Sequence, residues 1–216
     1  MRHEKRRPPQ FDLIAGGVVC LDLINTLDSR SSAAPKELLR SFADLARFAE
    51  DTEILPPHEV DELLERSQWN SGEAHKTLRA AIELREALYA IFTAILEKKP
   101  IPASPLAELN QHVRYAAEHT HLVPGREHFE SRFEKPDTFD ALLWPLARSA
   151  AELLTSDQLQ FVRACSLETC QWFFLDTSKN HRRRWCKMDL CGNRAKAQRF
   201  YARKKRAARN SKVTKA

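Results

Sequence analysis

Four of the five cysteines fall within 27 residues, as Cys165-x4-Cys170 and Cys186-x4-Cys191, with 15 residues between the pairs. Two tight turns whose sulfurs converge, joined by a spacer that returns the chain, meet the needs of a closed tetrahedral metal site. Four thiolates suit Zn²⁺, a borderline-soft ion, far better than Mg²⁺ or Ca²⁺. An iron–sulfur cluster takes the same number of ligands, but the basic surroundings favour zinc. A segment of about 45 residues cannot close a core from side chains alone, so one structural Zn²⁺ would supply much of its folding free energy. Cys20 stands apart in an apolar run and reads as a small buried hydrophobe.

The charge divides at the same place. Residues 1–162 carry 19 Lys/Arg against 26 Asp/Glu, whereas residues 163–216 carry 16 against Glu168, Asp176 and Asp189. The net charge of +6 therefore hides balances of −7 and +13, and the second part suits a polyanion. No stretch approaches the roughly 20 apolar residues that would span a bilayer. The basic N-terminus leads into a run interrupted by Asp12 and Asp22, a poor export signal. The expected compartment is the cytoplasm, where disulfides are disfavoured.

The fold class reads as mainly α with small β elements. A run rich in β-branched residues predicts a strand at about Val18–Leu23, paired across Gly16-Gly17 with Phe11–Ile14. The helical period then takes over, with Leu38, Phe42, Leu45, Ala46 and Ala49 on one face. Pro56-Pro57 suits the first turn of a short helix. The longest helix is expected over Glu73–Lys98, and a further one through Leu106–Ala116. Pro124-Gly125 marks a β-hairpin carrying His121 and His128, with His119 at its edge; all three histidines read as surface groups. A last helix follows, with Pro145 either kinking it or marking its start. The expected division is a disordered basic arm at 1–10, a helical domain at 11–157, a finger at 158–209 and a disordered tail at 210–216.

Inside the finger, the spacer predicts an aromatic strand (Trp172–Phe174), a turn at DTSKN and a basic strand returning to Cys186. Trp172, Phe174, Trp185 and Phe200 read as a mini-core, with base stacking as the alternative for one of them. After Cys191 the chain turns helical, and Lys196, Arg199, Arg203 and Arg206 share one face. Candidate nucleic-acid contacts are Arg182, Arg183, Arg184, Asn193, Arg194, Lys196, Arg199, Arg203 and Arg206. Such cations bind phosphates by counterion release without choosing a sequence.

The stretch CSLETCQWFFLDTSKNHRRRWCKMDLCGNRAKAQRFYARKK closely resembles the CGNR zinc-finger family, the tetrapeptide being Cys191-Gly192-Asn193-Arg194. Upstream, LDLINT at Leu21–Thr26, followed by Arg30, resembles the ABATE domain of stress-induced transcription regulators. It departs at Leu23-Ile24, where that family has an aromatic–valine pair. The resemblance implies a treble-clef-like or zinc-ribbon-like finger attached to a helical domain that senses a small molecule. Asp22, Asn25, Thr26 and Arg30 are candidate ligand-binding groups at the end of an apolar run. Equally, they fit a turn that closes the run, with Arg30 paired to Asp22 or Asp28.

The functional expectation is a zinc-dependent DNA-binding transcriptional regulator with a small-molecule effector; the oligomeric state is left open by the sequence, a homodimer reading paired half-sites being one option. An RNA-binding or ribosome-associated zinc protein is the alternative, since the same cations and aromatics serve single strands. Catalysis is not expected, because four cysteines close the coordination sphere and no nucleotide loop or HExxH stands in the chain.

Overall fold

The apolar run after Gly16-Gly17 is a helix and not a strand. In this computed structural model, which describes residues 9–135 and 137–213 (side chains through Lys205), α1 spans Val19–Ile24. The amides of Leu21 and Asp22 both reach back to the Val18 carbonyl, closing the first turn. Asp22 points inward, and its Oδ1 accepts the N–H groups of Ile14 and Ala15 at 3.1 Å each. The expected partner segment thus folds over the helix start. Five of the six α1 residues are buried, so no alternation could distinguish strand from helix. Gly16 and Gly17 make the turn with φ of 81° and 82°, a region that side chains avoid.

After α1, β1 (Leu27–Asp28) pairs antiparallel with β2 (Lys36–Glu37). Ser41 caps α2 (Phe42–Asp51) by accepting the Asp44 amide. Pro56 and Pro57 open α3 (Pro57–Trp69), as their fixed φ favours. Asn70 ends α3 and caps the long α4 (Ser71–Leu96), whose inner face carries Leu78, Ala81, Leu84, Leu88 and Phe92. α5 (Ala103–Glu118) packs along α4. The hairpin β3 (Thr120–Pro124) and β4 (Phe129–Phe133) then turns at Gly125, where a Cβ would lie 2.5 Å from the His128 carbonyl. A 3-10 turn over Phe139–Leu143 leads into α6 (Trp144–Thr155), so Pro145 marks a helix start. His121 and His128 are exposed, whereas His119 is half-buried and stacks on Trp144 at 4.2 Å.

Beyond a turn at Asp157–Phe161, β5 (Val162–Ala164) pairs antiparallel with β6 (Phe173–Leu175). The basic segment after the DTSKN turn forms no strand, which corrects the expected hairpin within the spacer. Asp176 explains why: buried, it accepts hydrogen bonds from the Ser178 amide and hydroxyl and from the Arg183 amide, coiling the turn upon itself. Those bonds outweigh its burial and hold its carboxyl below the ordinary range. A π-turn at Met188–Gly192 opens α7 (Asn193–Val213). Residues 210–213, expected in a disordered tail, are therefore helical; residues 1–8 of the arm and 214–216 lie outside the described residues.

The main core gathers Leu21, Leu23, Phe48, Leu63, Leu88, Phe92 and Leu146 from the helices. It also takes Val162, Phe173 and Leu175 from the finger hairpin. Burying side chains of this size is worth about 1.5–3 kcal/mol each. The junction at Thr155–Gln160 therefore does not bound the main core, although the four sulfurs gather a second, smaller cluster around Phe174.

Candidate metal centre

β5 and β6 hold the first pair of cysteines in the loop between them. Cys165 anchors its end by donating its amide to the Trp172 carbonyl at 2.8 Å, and the Cys170 amide donates to Leu167 at 2.8 Å. The second pair belongs to the entry of α7, where the Cys191 and Gly192 amides both reach the Lys187 carbonyl. A bond from the Ser166 amide to the Arg184 carbonyl ties the two turns together. This order, knuckle first and helix second, is treble-clef-like.

All four cysteines are buried, and their sulfurs lie within 4.8 Å of one another. Cys186 Sγ is 3.6 Å from both Cys170 Sγ and Cys191 Sγ. Zinc–sulfur bonds of about 2.3 Å at the tetrahedral angle set sulfurs about 3.8 Å apart, so the donor set fits Zn²⁺. Hydrogen bonds from Cys170 and Cys186 hold the Cys165 thiol well below its usual range. The same bonds push the Cys170 and Cys186 thiols above it, and burial raises Cys191. Four thiols this close cannot all ionise beside one another; a divalent cation removes that conflict. Cys20, by contrast, is wholly buried, which pushes its thiol up to about 12.

Phe174 is fully buried beside the sulfurs, with Trp172 and Trp185 packed around it. Phe200, expected in this mini-core, is instead 55% exposed on α7. The basic residues also divide. Arg183 is built into the finger: its Nε donates to the Trp185 carbonyl, its Nη2 to the Cys186 carbonyl, and its guanidinium lies 4.6 Å from the Phe174 ring. Asn193 donates to the Asp189 carbonyl and closes the π-turn. Arg182, Arg184, Arg194, Lys196, Arg199 and Arg203 remain exposed, with Arg184 and Arg199 flanking the Trp185 ring at 5.4 and 5.8 Å. The Arg206 side chain lies outside the described residues.

Residues 17–157 match the model of the ABATE family, described as "Putative stress-induced transcription regulator". The chain belongs to the ABATE family. Residues 162–204 match a second model, the CGNR zinc finger, whose span contains all four sulfurs. The protein thus joins an ABATE domain to a CGNR finger positioned to bind one zinc ion. No curated protein gives a match.

The four candidate ligand groups of the ABATE domain are occupied by the protein itself. Asp22 holds the Ile14 and Ala15 amides. Asn25 makes a paired contact with Phe173 of the finger, donating to its carbonyl at 2.9 Å and accepting its amide at 2.8 Å. Thr26 donates to the Leu23 carbonyl and accepts from Arg85. Arg30 forms a two-pronged bond to Glu86 at 2.7 and 3.0 Å and covers the Tyr89 ring, so its partner is neither Asp22 nor Asp28. Arg85, buried in α4, grips Glu37 of β2 with two bonds of 2.7 Å. This ion-pair network leaves little trace in the sequence. Its one signal was Arg85 standing on the apolar face between Leu78, Ala81 and Leu88.

A cavity of about 790 Å³ lies elsewhere in the ABATE protein. Phe11, Leu13, Asp51, Leu55 and Pro57 line it, and Lys187 of the finger borders it. None of the four predicted ligand residues is among its walls.

Proposed function

We propose that the protein is a zinc-dependent DNA-binding transcriptional regulator whose finger presents α7 to DNA. The observation that carries the reading is the position of Cys191, buried in the metal cluster two residues before Asn193 starts α7. One metal ion thereby fixes the origin of a helix with exposed Arg194, Lys196, Arg199 and Arg203. Phosphate contacts from such a helix give affinity and salt dependence. Base-edge contacts would add sequence choice.

Effector sensing belongs to the same proposal and is best supported at the cavity beside Lys187, because a ligand there touches both the ABATE segment and the finger. The cytoplasm is the proposed compartment, since five free buried thiols suit a reducing environment. Among the described residues, no helix is long and apolar enough to cross a membrane. Dimerisation is proposed as the means of reading paired half-sites. A non-catalytic role is supported by the closed four-sulfur donor set, which leaves zinc no open position for a substrate.

Fluorescence anisotropy with genomic DNA fragments, before and after chelation of zinc, tests the reading. Binding should weaken with salt and collapse on zinc removal. Affinity that survives chelation, or no binding at low salt, would overturn it. Competition by RNA at lower concentration than DNA would favour the RNA-binding alternative.

A further inference from the structure

We infer that the outer face of α7 is a stacking platform for unpaired DNA bases. The inference deepens the proposed function and rests on its claim that the finger binds DNA. Phe200 and Tyr201 are 55% and 67% exposed, with ring centroids 5.6 Å apart and planes inclined at 76°. Aromatic rings this large normally contribute to folding by burial, yet here the helix turns them outward. Only its first turn packs on the finger, through Ala195, while Ala202 borders an open groove beside Trp185. The rings therefore add nothing to the mini-core, and their exposure calls for an occupant.

Charge identifies that occupant. No acidic residue occurs between Asn193 and Val213. At helical spacing, Lys196 and Lys204 lie one turn before and after Phe200, and Lys205 lies one turn beyond Tyr201. Phe200 is thus bracketed by cations, and Tyr201 has one on its C-terminal side. A second copy of α7 would be repelled by this face, and an acidic peptide would leave the rings without flat partners. A nucleic-acid strand satisfies both groups at once, with phosphates on the cations and base faces on the rings. An intact duplex hides its base faces, so the platform pays out only where bases are unpaired.

The test uses the zinc-loaded full chain and one labelled DNA sequence offered as a single strand, as a duplex and as a duplex with an internal bubble. The single strand and the bubble should bind more tightly than the duplex. Phe200→Ala and Tyr201→Ala should each weaken single-strand binding about tenfold and change duplex binding by less than about twofold. Phe200→Trp should restore the preference. Since no charge is removed, the slope of affinity against salt should stay that of the parent protein. Exposed positions are chosen so that zinc content and helicity serve as folding controls. Duplex binding by the parent with no strand preference overturns the inference and leaves the proposed function standing. Absence of binding to any DNA form overturns both. Tighter binding to the RNA strand of the same sequence, or unchanged DNA binding in variants that lose self-association, also overturns it.

Discussion

At the scale of single residues, the inward-facing polar groups of α1 set the character of the molecule. Asp22 is nearly inaccessible, and burial raises its carboxyl from 3.8 to about 6 even though two backbone amides oppose the shift. The folded state therefore binds this proton more tightly than the unfolded chain. The resulting stability is fully present below about pH 4 and is lost as pH rises through 6, a slope worth roughly 3 kcal/mol. Asp22→Asn keeps an acceptor for the amides and removes the titration. Denaturant unfolding from pH 4 to 7 should show the stability of the parent falling relative to the variant by about that amount. Zinc release at low pH affects both proteins, so only the difference between them is read. Parallel curves would mean that the carboxylate is as comfortable folded as unfolded. Gly16 is tuned just as closely: an added Cβ would lie 3.1 Å from the Leu175 carbonyl oxygen and 3.3 Å from the Leu175 Cβ, on a backbone already at positive φ.

At the scale of elements, the parts legible in the sequence were those whose signal is local. Apolar periodicity marks α4 to within a few residues of its ends, Pro57 marks the start of α3, and Pro124-Gly125 marks the hairpin turn. The cysteine spacing marks the metal site because both ligand pairs are set by turns of a few residues. The short run at α1 was not legible, because a segment buried on nearly all sides has no period to show. Nor was the pairing of β6 with β5 upstream, which depends on Asp176 coiling the following turn. This pairing changes what loss of the metal should do. Cys191→Ser should abolish stable zinc binding and release α7, while β6 stays held by the main core. Hydrogen exchange should accelerate from Cys186 through the helix, and the amide of Phe174, bonded across β5–β6, should remain protected. Helicity by circular dichroism should fall by the share of one helix. Loss of protection at β6 together with α7 would show instead that the hairpin depends on the metal.

At the scale of the whole molecule, the ABATE domain and the CGNR finger share a boundary that carries bonds in both directions. Asn25 holds both backbone groups of Phe173, the Leu175 amide donates to the Ala15 carbonyl at 3.0 Å, and the Phe173 ring meets Tyr89 and Phe92 of α4. Asn25 and Phe173 are 148 residues apart, so no local pattern announces their contact. Physically, α1 and the cysteine loop are two sides of one support: β6 cannot shift without moving the chain that follows Cys170. Any event that moves α1, ligand binding included, would then reach the metal and the origin of α7. Asn25→Ala isolates this link. It leaves the buried Phe173 amide and carbonyl without partners, which should cost about 2–4 kcal/mol of stability. Zinc affinity, measured by competition with a chromophoric chelator, should fall about tenfold although no ligand is altered, as when outer partners of a metal site are removed. Asn25→Gln keeps a donor and an acceptor on a longer arm, so its zinc affinity should lie between those of the parent and the alanine variant. If both variants lose stability while zinc affinity stays at the parental value, the two segments share a core without sharing control of the metal, and a signal from the helical domain would need another route to α7.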